Sequence, residues 1–187
     1  MNNLSLLIQT QKTVFTFSDI KKITQIPTDA GVKSFLQRAK ANQILHNPYK
    51  GVRTLANYDH YEFAHVLRPQ SYISCETVLF QKGIFFQYYG NTISSVSDDS
   101  RKYTIDTKKI IYYKIKDTIL HNPIGIKQRK HYRIATPERA LCDYIYLNPR
   151  GTIDAPENIN IIRLKQLLPF YPHKTGQYIY TLLGKNG

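Results

Sequence analysis

The sequence predicts an α+β fold in two parts, residues 1–66 and residues 67–187. In the first part, amphipathic helical segments are followed by two short extended segments around Gly51. In the second part, extended segments between residues 92 and 116 are flanked by helical segments. Helices and strands that are grouped in this way, without regular alternation, are typical of α+β domains.

The N-terminal part has the order of segments found in a winged helix-turn-helix. Ser18 is expected to cap one helix, which Pro27 ends, and Thr28 or Asp29 is expected to cap the next helix. Residues 44–46 and 52–55 predict two strands joined by a turn, which would form the wing. A winged helix-turn-helix places its second helix in a DNA groove, so this order of segments predicts a DNA-binding domain.

The second of these helices has one apolar face and one polar face. Its apolar stripe has helical spacing and consists of Val32, Phe35, Leu36 and Ala39. Small residues on the other face allow close approach to DNA, an amide reads a base edge, and cations meet phosphates. The expected DNA-binding residues are Thr28, Ala30, Lys33, Ser34, Gln37, Arg38 and Lys40 on the helix, with Lys50 and Arg53 on the hairpin. An ordinary solvated helix face has a similar composition and remains an alternative.

The chain is strongly basic, with a formal net charge of +13 at pH 7. Residues 1–66 contain 8 Lys and Arg against 4 Asp and Glu, and residues 67–187 contain 18 against 9. A protein this basic is expected to meet a polyanion, although the charge also favours solubility.

No apolar stretch is long enough for a membrane helix, and no signal peptide is expected, so we predict a cytoplasmic protein without a membrane partner.

The two cysteines and six histidines do not have the spacing of a metal site. Cys75 and Cys142 lie far apart in apolar stretches and are expected to be buried free thiols in a reducing cytoplasm. We find neither a phosphate-binding glycine loop nor a catalytic triad pattern. The expectation is therefore a protein that is not an enzyme and that has no catalytic residues, no cofactor and no metal.

Three segments of the second part carry a resemblance to a known family. Residues 69–79 read Pro-Gln-Ser-Tyr-Ile-Ser-Cys-Glu-Thr-Val-Leu, and residues 92–96 read Thr-Ile-Ser-Ser-Val. Residues 134–143, the most specific segment, read Ile-Ala-Thr-Pro-Glu-Arg-Ala-Leu-Cys-Asp. In these segments and in the order of its parts, nearly the whole chain resembles the AbiEi family of antitoxins from bacterial toxin–antitoxin and phage-defence operons.

The resemblance implies both a fold and a function. AbiEi proteins combine an N-terminal winged helix with a C-terminal antitoxin domain, and they repress their own operon by binding operator DNA. The neighbouring gene encodes a nucleotidyltransferase-like toxin. The resemblance therefore implies an antitoxin and transcriptional repressor with two partners, operator DNA and that toxin. Its winged helix would span residues 1–66 and its antitoxin domain residues 67–187.

A basic segment directly precedes the best-defined helix start of the second part. Residues 127–133 contain four cations, and Thr136 with the following Pro and Glu forms a good helix start. The expected antitoxin surface consists of Arg129, Lys130, Arg133, Glu138 and Arg139. For the basic segment, contact with DNA phosphates or RNA and a solvated loop are alternatives. For Arg139, the alternative is a structural ion pair with Glu138 or Asp143.

Two other functions remain open at this point. One is a transcriptional regulator whose second domain senses a ligand or dimerises. The other is a metal-dependent nuclease. In that case Asp98 or Asp99 would pair with Asp106 to hold a divalent ion, and Lys108 would be the lysine of the site.

Overall fold

The computed structural model describes residues 3–87 and 90–184 of the chain. The chain forms two compact units, Met1–Leu67 and Arg68–Gly187. Helices and sheets are present in both units, so the predicted α+β class is confirmed. Among the residues that the structure describes, no helix combines the length and apolar character needed to cross a lipid bilayer.

The first unit consists of helices around a three-stranded antiparallel sheet with the order β1-β3-β2. Its elements are α1 (Asn3–Gln9), β1 (Val14–Thr16), α2 (Phe17–Thr24), α3 (Asp29–Ala41), β2 (His46–Tyr49), β3 (Val52–Thr54) and α4 (His60–Leu67). Its core is formed by buried apolar side chains from α1, β1, α2 and α3 and the segment after α3: Leu7, Phe15, Ile20, Val32, Phe35, Leu36, Ala39 and Leu45.

Helix α2 begins earlier than the sequence predicts. Thr16, and not Ser18, is the N-cap residue, because strand β1 ends at Thr16 and the helical backbone starts at once. The Thr16 hydroxyl accepts a hydrogen bond from the Asp19 amide at 3.0 Å, and the Asp19 carboxylate accepts one from the Thr16 amide at 2.9 Å. This reciprocal pair is a capping box, which satisfies two amides at the start of the helix.

The segment after α3 also differs from the prediction. The amides of Ile44 and Leu45 donate to the Ala39 carbonyl at 2.9 and 3.2 Å, so these residues close the end of the helix and do not start a strand. Strand β2 begins at His46 and includes Pro48, which was predicted to lie in the turn. Proline is tolerated there because β2 is an edge strand, where an amide donor is not required.

The second unit has a six-stranded mixed sheet with the order β6-β7-β5-β4-β9-β8. Its strands are β4 (Tyr72–Ile73), β5 (Thr92–Ser97), β6 (Arg101–Ile105), β7 (Lys108–Lys114), β8 (Ile126–Gln128) and β9 (Arg133–Ala135). Its helices are α5 (Cys75–Gln81), α6 (Asp117–Leu120), α7 (Pro137–Leu147), α8 (Ile161–Leu167) and α9 (His173–Leu182), with single 3₁₀ turns at Pro156–Asn158 and Leu168–Phe170.

Helix α7 is the central helix of this unit, and it packs against α5, α8 and α9. Its predicted start is confirmed: Thr136 is the N-cap residue, its hydroxyl accepts from the Arg139 amide, and Pro137 occupies the first turn.

Cys75 and Cys142 are free and buried, as the sequence predicts. Burial raises the pKa of both thiols well above their ordinary value, so they stay protonated and unreactive.

Candidate functional site

The outer face of α3 is an exposed polar surface of the first unit. The predicted apolar stripe is confirmed, because Val32, Phe35, Leu36 and Ala39 are all buried. The seven residues predicted on or beside the outer face are all exposed: Thr28, Ala30, Lys33, Ser34, Gln37, Arg38 and Lys40. Sequence periodicity therefore identified both faces of this helix correctly.

The start of α3 is held firmly against the preceding turn. The Thr28 hydroxyl accepts the Gly31 amide at 3.1 Å, and the Lys21 ammonium group contacts the Asp29 carboxylate at 2.6 Å. A Cβ atom on Gly31 would lie 2.7 Å from Cγ2 of Ile26, so only glycine fits without a shift. These contacts fix the direction in which α3 leaves α2. The Lys21 ammonium group also pairs with Asp29, the one carboxylate of α3, so the remaining charges of this helix are cations.

The hairpin after α3 carries the remaining two predicted residues, in different surroundings. Lys50 is exposed and forms the two-residue turn with Gly51, whose φ of 81° lies in the left-handed region that glycine adopts readily. Arg53 lies on β3, the central strand, and is half-buried. Its guanidinium donates to Oδ1 of Asn47 at 2.5 Å, which ties β3 to β2. The contacts of Arg53 therefore stabilise the hairpin.

The basic residues of the β8–β9 hairpin in the second unit fall into two groups. Arg129 and Lys130, at the tip, are exposed. Arg133, on the inner strand β9, is half-buried and donates to the carbonyls of Pro69, Gln70 and Ser71. Burial lowers the pKa of Arg133. Its assignment to an exposed antitoxin surface is therefore corrected, because this guanidinium holds the segment that enters strand β4.

Glu138 and Arg139 were also predicted on that surface, and the structure contradicts both assignments. Glu138 is 2% exposed and Arg139 is fully buried. Both lie in the first turn of α7, which is enclosed in this unit. The alternative expectation of an Arg139 ion pair is confirmed for Asp143, with a distance of 3.3 Å between Nε and Oδ1.

The Arg139–Asp143 pair lies in a buried polar cluster that joins α7 to three other segments. The Asp143 carboxylate accepts hydrogen bonds from Tyr72 at 3.0 Å, Ser74 at 2.7 Å and Tyr171 at 2.5 Å. The Tyr72 hydroxyl in turn accepts from Nη2 of Arg139 at 2.7 Å. We call these five residues the buried polar cluster. Sequence reasoning missed Tyr72, Ser74 and Tyr171, because no local pattern marks tyrosine or serine as a partner of a distant carboxylate.

The remaining donors of Arg139 are also satisfied. Nη1 donates to the carbonyls of Asn122 at 3.2 Å and Ile124 at 2.9 Å, and Nη2 donates to the carbonyl of Ile119 at 2.6 Å. A buried charge is tolerated when it is paired and hydrogen-bonded in this way. Arg139 therefore ties the segment that follows α6 to α7.

The pKa directions agree with a structural role for the buried polar cluster. Burial raises the pKa of the Asp143 carboxyl, and the Arg139 charge and the three hydroxyl donors oppose that rise. Burial disfavours the charged guanidinium of Arg139, but Asp143 and the two tyrosines outweigh burial and raise its pKa. Tyr72 and Tyr171 have pKa values well above the ordinary value, first because they are buried and then because Asp143 is close. All five side chains are buried in this unit.

The carboxylates of the nuclease alternative do not come together. Asp98 and Asp99 precede strand β6 and Asp106 follows it, so they lie at opposite ends of a strand that spans about 17 Å. Asp99 contacts Arg68 at 3.0 Å and Arg101 at 2.9 Å. Within residues 3–87 and 90–184, no cluster of three or more acidic, histidine or cysteine side chains could hold a metal ion.

The second unit also contains an open cavity of about 1000 Å³ beside α9. One wall is a stripe along α9 at helical spacing, and the other is formed by α8 and the turn that follows it. The polar side chains that line it are Lys165, Tyr171, His173, Gln177, Tyr180 and Thr181, together with apolar groups of Leu168 and Pro169. None of its lining residues in the described part of the chain is a carboxylate.

Comparisons with known proteins show what this architecture resembles. No family model matches the sequence, and no curated protein sequence matches it. Among solved structures, the crystal structure of RV2827C protein from Mycobacterium tuberculosis matches with a TM-score of 0.56. The match covers 97% of this chain and 74% of that chain, at 15% sequence identity. At this identity, the likeness shows that the two chains share a fold.

Proposed function

We propose that this chain is a DNA-binding autorepressor and antitoxin of a bacterial toxin–antitoxin operon, of the AbiEi type, that acts in the cytoplasm without catalysis of its own. The observation that carries the proposal is the exposed, cation-flanked face of α3, followed directly by a small hairpin with Lys50 at its tip. In this proposal the first unit is a winged helix, α3 is its recognition helix and the β2–β3 hairpin is its wing.

The composition of the outer face of α3 suits a major groove. Ala30 and Ser34 are small enough for close approach, and the exposed amide of Gln37 is of the kind that pairs with adenine. Lys33 and Lys40 extend from the same exposed surface and would meet phosphates on either side of the groove. The acidic residue at the start of the helix is already paired with a lysine, so it does not repel DNA.

The operator-binding part is tested by gel-shift titration of the full-length chain on duplex DNA from upstream of its own gene. We expect binding that weakens with salt and that drops in the Lys33→Ala/Lys40→Ala variant. The charge-matched control is Lys82→Ala/Lys174→Ala, which removes two exposed lysines of the second unit. Absence of duplex binding at low salt, or equal affinity of both variants, rejects the proposal.

The antitoxin part rests on the resemblance of residues 134–143 to the AbiEi family and on the charge of the second unit. Because Glu138 and Arg139 are buried, we assign toxin recognition to the exposed tip residues Arg129 and Lys130 instead. A pair of exposed cations fits an acidic surface on the toxin. Contact at the tip would leave the buried polar cluster intact.

A growth assay tests this assignment. The proposal implies a toxin from the same operon, a nucleotidyltransferase-like protein, and the wild-type chain should rescue cells that express it. We expect weaker rescue by Arg129→Ala/Lys130→Ala, which changes exposed residues and should alter stability by less than about 0.5 kcal/mol. Lys82→Ala/Lys174→Ala is again the matched control. Full rescue by the tip variant excludes this surface, and failure of the wild-type chain to rescue excludes the antitoxin function.

The cavity beside α9 favours a second candidate function, a regulator that senses a small ligand. Its volume of about 1000 Å³ is at the upper end of the range for small-molecule sites. Lys165 and His173 and the absence of lining carboxylates favour an anionic ligand. ATP and citrate are suitable first probes: a ligand-dependent rise in melting temperature, together with a change in operator affinity, would favour this function over the antitoxin.

A further inference from the structure

The β6–β7 hairpin at one end of the second sheet has an open, basic face. Strand pairing puts Lys102 opposite Ile111 and Thr104 opposite Lys109, and paired residues point to the same side of a sheet. Tyr113 continues the row on β7, since side chains alternate along a strand. We call these five residues the basic sheet face.

The two sides of this hairpin have different surroundings. On the other side, Ile105, Ile110 and Tyr112 are buried. On the basic sheet face, Lys102 and Lys109 are exposed, whereas the neighbouring strand β5 is covered by helix α5. Lys102, Thr104 and Lys109 of the outer two strands are therefore exposed on this side, and a sheet surface is available to a partner.

The charges of this face are not compensated. Lys102 and Lys109 are diagonal neighbours, which places their Cβ atoms roughly 7–8 Å apart. Neither ammonium group has an ion pair or hydrogen bond in the part of the chain that the structure describes. None of the residues on this side of β5, β6 and β7 is a carboxylate. Two like charges at this separation repel each other, and an anion between them removes the repulsion.

Protection of a sheet edge does not explain both lysines. Charged side chains on edge strands block association with other sheets, and this accounts for Lys102 on β6. Lys109 lies on β7, which is paired on both sides, by β6 and by β5. A cation on an inner strand has no edge to protect, so its position on the open face requires another reason.

We propose that the basic sheet face binds single-stranded nucleic acid. Lys102 and Lys109 contact successive phosphates, and Thr104 between them donates its hydroxyl to the backbone. The half-buried side chains of Ile111 and Tyr113 form a flat floor for bases. A single strand fits better than a duplex, because a flat sheet face does not enter a groove whereas unpaired bases are free to lie on it. This binding is separate from the operator binding proposed for α3.

The test is fluorescence anisotropy of labelled oligothymidylate and oligouridylate with the full-length chain at several salt concentrations. We expect Lys102→Ala/Lys109→Ala to reduce affinity at least roughly tenfold at low salt, and to lower the log–log salt slope by about 1.4, since each phosphate contact on a single strand contributes about 0.7. The control Lys82→Ala/Lys174→Ala should keep the wild-type slope. Single-strand binding that weakens in Lys102→Ala/Lys109→Ala and not in the control supports the proposal, and the more tightly bound strand identifies the natural class.

Three results would overturn this proposal. The first is no binding of either strand by the wild-type chain at low salt, and the second is equal single-strand affinity of Lys102→Ala/Lys109→Ala and its control. A third is loss of duplex binding without loss of single-strand binding in that variant, because the face then belongs to a duplex contact. The Lys33→Ala/Lys40→Ala variant separates the two functions. It should keep single-strand binding, and an unchanged duplex affinity of that variant would contradict the operator proposal alone.

Discussion

Arg38 in the first unit and Arg139 in the second both lie on amphipathic helices, yet their surroundings are opposite. Arg38 is exposed, and Nε is 3.4 Å from the carbonyl of Ser34 one turn earlier. Arg139 is fully buried, and its guanidinium donates to Asp143, to Tyr72 and to backbone carbonyls. The guanidinium of Arg38 is therefore exposed to solvent, whereas that of Arg139 is enclosed by hydrogen-bond acceptors of its own unit.

This difference determines which property a substitution changes. An exposed cation interacts with solvent and ligands, so its removal alters binding and leaves stability nearly unchanged. A buried cation holds chain segments together, so its removal leaves unpaired partners and lowers stability. Both arginines stand next to apolar residues that recur at helical spacing. The sequence pattern therefore does not show which arginine is exposed and which is buried.

The largest effect is expected for Arg139→Met. This change leaves the buried Asp143 carboxylate without its cation and three carbonyls without their donor. We expect the free energy of unfolding to fall by about 3–5 kcal/mol, measured by urea denaturation. The exposed Arg129→Met, with the same change in charge, should cost less than about 0.5 kcal/mol. A loss below about 1 kcal/mol for Arg139→Met would contradict the structural role.

The next effect is on binding alone. Gln37→Ala removes the one long amide from the exposed face of α3. At its base pair we expect a loss of about 1–3 kcal/mol in operator affinity and a relaxed sequence preference, measured by gel shift on single-base-pair variants of the operator. Stability should stay within about 0.5 kcal/mol of wild type. Unchanged affinity on every operator variant would show that this face does not read bases.

Arg133 is an intermediate case that sharpens the comparison. It is half-buried and donates to carbonyls at the entry to β4. We expect Arg133→Ala to lower the free energy of unfolding by about 1–2 kcal/mol, because hydrogen bonds to a charged donor are lost. Arg129→Ala, four residues earlier at the exposed tip, is the control. Equal stability of the two variants in thermal melting would place Arg133 with the exposed cations.

The smallest effect concerns Lys50 at the hairpin tip. It is exposed, and its loss should leave the fold intact. We expect Lys50→Ala to lower the slope of log affinity against log salt concentration by about 0.9, which corresponds to one phosphate contact on duplex DNA. The slope is measured by titrating operator and unrelated duplex in parallel. A slope equal to that of the wild-type chain would remove Lys50 from the interface.

Local features of the fold were predictable from the sequence because their causes are local. The stripe from Val32 to Ala39 follows from helical periodicity, and Thr136 with Pro137 defines the start of α7 by capping chemistry alone. The Ser18 prediction was wrong for a related reason. Thr16 and Asp19 also have capping-box spacing, and the end of β1 at Thr16 decides between the two starts.

The surroundings of individual charges were not predictable in the same way. Arg139 and Arg129 are both basic residues near one helix start, and their difference in exposure depends on groups far away in sequence. Tyr72 is 67 residues from Arg139, and Tyr171 is 28 residues from Asp143. A single sequence gives no sign of such pairing. The basic sheet face was missed because it requires the register between β6 and β7.

The buried polar cluster has a consequence for the order in which the chain becomes ordered during synthesis. The core of the first unit is formed by residues up to Leu45 with Leu55 packed against it, so it is complete long before Tyr171 is made, and N-terminal domains commonly fold first. One hydrogen-bond donor to the Asp143 carboxylate is the Tyr171 hydroxyl, which is synthesised 28 residues after Asp143. Until then the nascent second unit lacks one anchor of its central helix. We therefore expect the two units to fold in order during synthesis. In ribosome-bound chains the first unit should become resistant to proteases well before the second unit does.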